Sequence, residues 1–227
     1  MKSSKVFRLP AKRKIKAVDL LPVYRKLRKH FGHQHWWPGD SAFEVIVGAI
    51  LTQNTAWSNV EKAIRNLKKH RLLTPERMKR VSRRRLAGLI RPAGYFNIKA
   101  DRLKHFVRFL HEHYGGSLQK LFSEDSQVLR DRLLAVNGIG PETADSILLY
   151  AGNKPFFVID AYTKRIFGRH RFLSPDQDYT KWQDVFRQAL PESVALFNDY
   201  HAQIVMLGKH FCRTTPACSL CPLREYL

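Results

Sequence analysis

The sequence lacks any unbroken apolar run of the ~18 residues that a bilayer-crossing helix requires, so it encodes no such helix. Cysteine is scarce: Cys212, Cys218 and Cys221 are the only three, and all fall within the last sixteen positions. An odd, clustered set argues against a disulfide framework and points to a metal or cluster site, or to its remnant. Acidic residues are few as well, 19 Asp and Glu against 40 Lys and Arg, which leaves a formal net charge of +21. Apart from the short run PFFVID (155–160), no stretch carries a strand pattern, and no repeat of about 20–50 residues recurs.

What is present suffices for a folded protein. A chain of 227 residues with 44% hydrophobic content can bury a core, as one large domain or two small ones, and is neither disordered nor fibrous. A charge excess of this size repels itself and asks for a polyanionic partner; nucleic acid fits better than a membrane surface. The basic N-terminal residues Lys2, Lys5, Arg8, Lys12, Arg13, Lys14 and Lys16 are followed by no apolar secretory segment, so a cytoplasmic, nucleoid-associated protein is expected. The absence of acidic residues before Asp19 leaves an organellar presequence open. The first sixteen residues read as an arm that is loose or lies along a phosphate backbone.

From Val18 the spacing turns helical, with Leu20, Leu21, Tyr24 and Leu27 on one face and Arg25, Lys26, Arg28 and Lys29 on the other. The segment GHQHWWPGD (32–40) breaks that helix, and Ser41 with Glu44 makes a capping box for the apolar helix FEVIVGAILTQ. Amphipathic spacing predicts further helices over 58–69, 74–89, 98–113, 126–136 and 141–150. Others follow over 161–169 and 180–190 and from 193 towards the cysteines, with Thr180 and Gln183 as a second capping box. The fold class is all-α.

The most informative stretch is LLAVNGIGPETADSILL (133–149). An apolar helix ends at Gly138-Ile139-Gly140, and the next begins with Pro141, where a missing N–H costs nothing. Two glycines around an apolar residue let backbone N–H groups approach a phosphate oxygen, and the helix N-terminus behind them adds a favourable dipole. The same turn could be an ordinary tight connection; in so basic a chain the DNA-backbone reading takes precedence. Asp160 follows an apolar run and opens a basic helix, a pattern that suits an N-cap or a catalytic carboxylate.

Together the hairpin and Asp160 resemble the core of the helix-hairpin-helix DNA glycosylases of the endonuclease III superfamily, over about 31–227. The resemblance implies a base excision repair enzyme acting on double-stranded DNA with a damaged base. Asp160 would be its catalytic carboxylate, stabilising an oxocarbenium-like sugar and orienting or deprotonating the attacking water. Extruding a base costs stacking energy that protein contacts must recover. Gln53, in LTQNT, would fill the gap left by the flipped nucleotide, Tyr95, in AGYFNIKA, would act as the wedge beside it, and Gly138, Ile139 and Gly140 would grip the backbone. The plainer alternatives are a helix-capping role for Gln53 and core packing for Tyr95.

Where strand-cleaving members carry a Schiff-base lysine in the second hairpin helix, this chain has Glu142, which implies a monofunctional glycosylase. Where adenine-mismatch members carry a glutamate in the early helix, it has Gly48. The pattern is most similar to endonuclease III-like 3-methyladenine DNA glycosylases: the WWP motif of Trp36, Trp37 and Pro38, an aromatic after LTQNT at Trp57, and Glu142. These residues imply a base pocket for an alkylated purine, already cationic and favoured by cation–π attraction of roughly 0.5–2 kcal/mol. Tryptophans covering a core edge would look alike, and Glu142 reads equally as a pocket charge or a helix cap.

The cysteines resemble the superfamily's iron–sulfur loop, but with C-x5-C-x2-C and Leu227 where a fourth cysteine is due. A [4Fe–4S] cluster with another fourth ligand, a zinc site borrowing His210, and a metal-free vestige are left open; the hydrolysis itself requires none. Lys209, just upstream, is open between solvent and the active site. The resemblance further implies two helical domains, a six-helix module over 33–155 and a second from 1–32 plus 156–227, with a DNA-binding cleft between them, in a monomer without membrane attachment. The rivals are a mismatch uracil or thymine glycosylase, an AP lyase or endonuclease of the same superfamily, and a non-catalytic DNA-binding module.

Overall fold

The computed structural model describes Lys16 and residues 19–226; the rest of the basic arm, Ala17, Val18 and Leu227 lie outside the described residues. Among the described residues there are twelve α-helices and no strand, so the chain is all-α. The helices are α1 (Leu20–Phe31), α2 (Ala42–Thr52), α3 (Trp57–Lys69), α4 (Pro75–Arg80), α5 (Arg83–Leu89), α6 (Phe96–Tyr114), α7 (Leu118–Ser123), α8 (Ser126–Leu134), α9 (Pro141–Ser146), α10 (Ala161–Arg169), α11 (Tyr179–Ala189) and α12 (Val194–His210). None is long and apolar enough to cross a membrane. The chain divides into two compact units, Trp37–Phe156 and Met1–Trp36 with Phe157–Leu227.

The Trp37–Phe156 unit holds α2 to α9. Its centre is α2, buried continuously from Phe43 to Leu51, which is why that segment reads as an apolar run and not as a stripe. Ser41 accepts a hydrogen bond from Glu44 N at 3.2 Å, forming the expected cap. This unit carries eight helices, two more than spacing suggested, because small polar residues restart the chain. Ser82 caps α5 and splits the 74–89 segment, and Ser117 caps α7 behind the Gly115-Gly116 turn. The segment from Pro141 is α-helical to Ser146 and continues as a π-helical turn, Ile147–Ala151.

The second unit packs α1, α10, α11 and α12 around aromatic rings, with Phe157 stacked on Phe186 at 4.5 Å. On α1 the buried face is Leu20, Val23 and Leu27; Tyr24 is half-buried and donates its hydroxyl to Asp199 Oδ2 at 2.9 Å. The expected Thr180–Gln183 capping box is overturned. Asp178 caps α11 instead, accepting from Lys181 N at 2.7 Å, since a carboxylate is the stronger acceptor at a helix N-terminus. Gln183 is buried and donates to Phe157 O at 2.8 Å. The strand-like run before Asp160 therefore lies extended without a strand partner, its polar groups met by side chains such as Gln183 and Tyr179, whose hydroxyl accepts from Ile159 N at 3.3 Å.

Candidate active site

In the hairpin, Ile139 is buried and its N–H donates to Val136 O at 3.0 Å, closing the turn after α8. Gly138 has φ +89°, and a Cβ there would also run into the stem of Arg102, so two constraints coincide at one glycine. Gly140 precedes Pro141 in extended geometry, with nothing within 4 Å of a would-be Cβ, so its backbone is open to a ligand. We expect Gly138→Ala to cost at least about 1 kcal/mol of stability and to weaken DNA binding, whereas Gly140→Ala leaves stability nearly unchanged; urea denaturation and fluorescence anisotropy would read both.

Gln53 follows α2 and reaches the hairpin. Its Nε2 donates to Gly138 O at 3.0 Å and to Thr143 Oγ1 at 2.9 Å, while its Oε1 accepts from Arg102 Nη1. In the free protein this amide thus brackets the hairpin, with both donors and its acceptor engaged. Tyr95 is 68% exposed and has φ +45°, so its ring is not core packing.

Trp37, Pro38 and Trp57 line one cavity of about 350 Å³ together with Gly48, Glu44 and Glu61. A Cβ on Gly48 would stand 3.3 Å from Trp37 Nε1, so the absence of a side chain on this turn of α2 is what admits the indole. Trp37 meets Trp57 edge-on at 5.0 Å and tilts against Tyr150 at 5.1 Å. Trp57 Nε1 donates to Glu61 Oε1 at 2.8 Å. Glu44 is buried and pairs with Lys68 at 2.7 Å, which also pairs with Asp40 at 2.7 Å; hydrogen bonds to Asp40 and then Glu44 raise the Lys68 ammonium above its ordinary value. Asp40, Glu44 and Glu61 face Arg65 and Lys68 around this space, a local acid excess in a chain of charge +21.

Glu142 is not among the residues lining that cavity; it sits exposed in the first turn of α9. Trp36 belongs to the other unit, where Lys209 Nζ stands 6.0 Å from its ring centroid; Lys209 is itself exposed. Tyr150, Lys68 and Arg102 were not singled out by sequence reasoning, and Glu44 only as a helix-capping residue. Gly48 inside an apolar helix was the one available signal that a large side chain leans on α2.

Asp160 is both an N-cap and a buried carboxylate. Its Oδ1 accepts from Thr163 N at 2.7 Å and Thr163 Oγ1 at 2.8 Å, and its Oδ2 faces His201 Nε2 at 3.5 Å. Burial by itself would raise its pKa, but His201 and the two Thr163 bonds outweigh burial and hold the carboxyl below the usual range. His201 lies on α12, 41 positions along the chain, with no local signal marking it.

The contacts of the cysteine loop bear on whether it could hold a metal. Cys212 Sγ accepts from Arg169 Nη1 at 3.2 Å, Cys221 Sγ accepts from Leu223 N at 3.4 Å, and burial pushes the Cys221 thiol up to about 11. Arg165 and Arg169 of α10 bind the carbonyls of Cys212, Arg213 and Thr214, which ties the loop to α10. Among the described residues no three His, Cys, Asp or Glu side chains are arranged to hold a metal ion, His210 included. Three thiols with no fourth ligand grouped beside them among the described residues do not fit the four-ligand cluster site.

The chain matches the family of HhH-GPD superfamily base excision DNA repair proteins over residues 47–192, from within α2 to just past α11. It belongs to that superfamily. A Methanocaldococcus jannaschii protein provisionally named a DNA repair glycosylase is 45% identical over 205 residues, 90% of this chain and 93% of that one. The crystal structure of H. pylori 3-methyladenine DNA glycosylase (MagIII) bound to 1,N6-ethenoadenine is similar with a TM-score of 0.75 and 26% identity, covering 86% of this chain and 98% of the other. A non-covalent endonuclease III–DNA complex shares the fold, with a TM-score of 0.79, 21% identity and coverage of 93% and 95%. The present chain is thus a DNA N-glycosylase, a hydrolase of N-glycosyl bonds in base excision repair.

Proposed function

We propose that this glycosylase is monofunctional and removes alkylated purines from double-stranded DNA. The observation that carries the reading is the Trp37–Trp57 cavity with its acid excess, an environment suited to a base bearing positive charge. Similarity to MagIII, whose structure contains a modified adenine, points the same way. Glu142 stands where a Schiff-base lysine would be needed, so strand cleavage is not part of the reaction.

A purine alkylated on a ring nitrogen departs with the electron pair of its glycosidic bond and leaves neutral. The cationic sugar then takes up water, whose proton passes to Asp160, and Asp160 Oδ2, the oxygen not used for capping, is the one to receive it. Gln53 and Tyr95 hold the vacated gap, and the amides of Gly138 and Gly140, rather than the Ile139 N–H already bonded to Val136 O, take a backbone phosphate.

The test is base release from duplexes carrying one lesion each: a 3-methyladenine analogue, 7-methylguanine, uracil, or thymine opposite guanine. Breaks confined to the alkylated purines and appearing only after alkali are expected. Breaks without alkali overturn the monofunctional reading, and release of uracil or thymine alone overturns the substrate class. Binding affinity should fall linearly with salt on logarithmic axes, and a flat response contradicts the phosphate contacts.

A further inference from the structure

We propose that Lys99 is the positioning residue that fixes the spacing between Gln53 and Tyr95. The proposal rests on the reading of those two side chains as holders of the gap. Lys99 lies in the first turn of α6 and is only 1% exposed, an unusual fate for lysine. Its Nζ donates to Leu51 O at 2.8 Å and to Ala93 O at 2.7 Å. Leu51 ends the buried part of α2 two residues before Gln53, and Ala93 ends the Arg91–Ala93 turn two residues before Tyr95. One ammonium therefore ties together the two backbone segments from which the gap-holding side chains depart.

The chemistry of the tie favours a cation. Carbonyls at the ends of helical turns lack onward partners and carry the negative end of the peptide dipoles, and charged donors bond them more strongly than neutral ones. α2 and the Arg91–Ala93 turn offer Lys99 carbonyls; the charged group acting on it is Arg102, one turn further along α6 and itself bonded to Gln53. Burial first and Arg102 second bring the ammonium down to about 8, which shows what keeping a charge here costs. Tyr95 adds a second need: its left-handed backbone, φ +45°, is one that a bulky residue adopts only when its surroundings impose it, and Lys99 N also donates to Tyr95 O at 3.0 Å. An apolar replacement would fill the same volume and leave two buried carbonyls without their donor.

The experiment uses a duplex with a tetrahydrofuran abasic analogue beside 2-aminopurine, whose fluorescence rise reports insertion into the gap, with anisotropy on undamaged duplex as the measure of binding. Lys99→Met should lose most of the rise and slow base release about tenfold or more, while undamaged-duplex affinity stays within about threefold. Lys99→Arg, which keeps a charged donor, should recover the rise. A full rise in Lys99→Met while Gln53→Ala and Tyr95→Ala lose it overturns the positioning role and leaves the gap reading intact. A full rise in both of those variants overturns the gap reading, and the positioning role with it. Loss of affinity and thermal stability in Lys99→Met with no recovery in Lys99→Arg identifies a merely structural lysine. If Lys99→Met does not fold, the wild type decides: the rise should weaken between about pH 7 and 9 as Lys99 loses its proton, and a constant rise overturns the proposal.

Discussion

Asp160→Asn is expected to slow base release by about 10²–10⁴-fold, the range for a positioned acid–base group, while affinity for lesion-containing duplex changes by no more than about threefold. The asymmetry follows from the two oxygens. Asn retains a side-chain oxygen for Thr163 N, so α10 keeps its cap and the variant should fold. What disappears is the negative charge that, in the proposed reaction, would face the cationic sugar and accept the proton of water. Single-turnover release on an alkylated duplex, alongside anisotropy, separates the two effects; unchanged turnover would sink the assignment of Asp160. His201 adds a pH signature. With the carboxyl held below its ordinary value, wild-type activity should persist to below about pH 4, until acid protonates Asp160. His201→Leu removes one of the groups that offset burial, so the acid limb of the pH–rate profile should move up towards neutrality. The stability that Asp160 contributes follows the same sign: present above its unfolded value and lost as pH falls through its lower folded value.

Arg130→Ala should destabilise the protein by about 3–5 kcal/mol, the range for breaking a buried ion pair by removing one partner. Arg130 Nε and Nη2 bind Asp145 Oδ1 and Oδ2 at 2.7 and 3.1 Å, and Asp145 is fully buried. The pair links α8 to α9, the two helices of the hairpin, and the guanidinium lies 5.7 Å above the Phe156 ring. Alanine leaves a buried carboxylate without its bidentate partner, so the second hairpin helix must shift to let water reach it. Urea denaturation would measure the loss, and phosphate-dependent DNA binding should weaken with it. Arg130→Met combined with Asp145→Leu removes both charges and should recover most of the stability; if the single and double variants are equally unstable, the cost lies in packing and not in the stranded charge.

The helix pattern, the hairpin and the N-cap at Asp160 were legible because each depends on residues within a few positions of one another. Ser41 and Glu44 meet across one helical turn, Gly138 admits the left-handed backbone of the turn, and Pro141 fixes its own φ at the start of α9. The misplaced cap at Thr180 shows the limit of the same logic. Two local solutions were available, and Gln183 was drawn away by a backbone carbonyl 26 positions earlier. The five aromatic, proline and glutamate residues assigned to a base pocket divide for a similar reason: Trp37, Pro38 and Trp57 meet around one cavity, Glu142 does not join them, and adjacent Trp36 belongs to the other unit.

The sequence by itself determined the all-α class, the hairpin turn, the demand for a polyanion and the loss of the fourth cysteine, since these follow from periodicity, glycine and proline stereochemistry, charge and ligand count. Tertiary structure alone decided that Gln53 grips the hairpin 85 positions away, that Lys99 bonds Leu51 across 48, and that His201 stands against Asp160. The physical reason is range. A pattern read along the chain records which face of a helix is apolar, but which polar groups remain unsatisfied once those faces close together depends on the packing of whole helices, and the side chains that answer them are selected there.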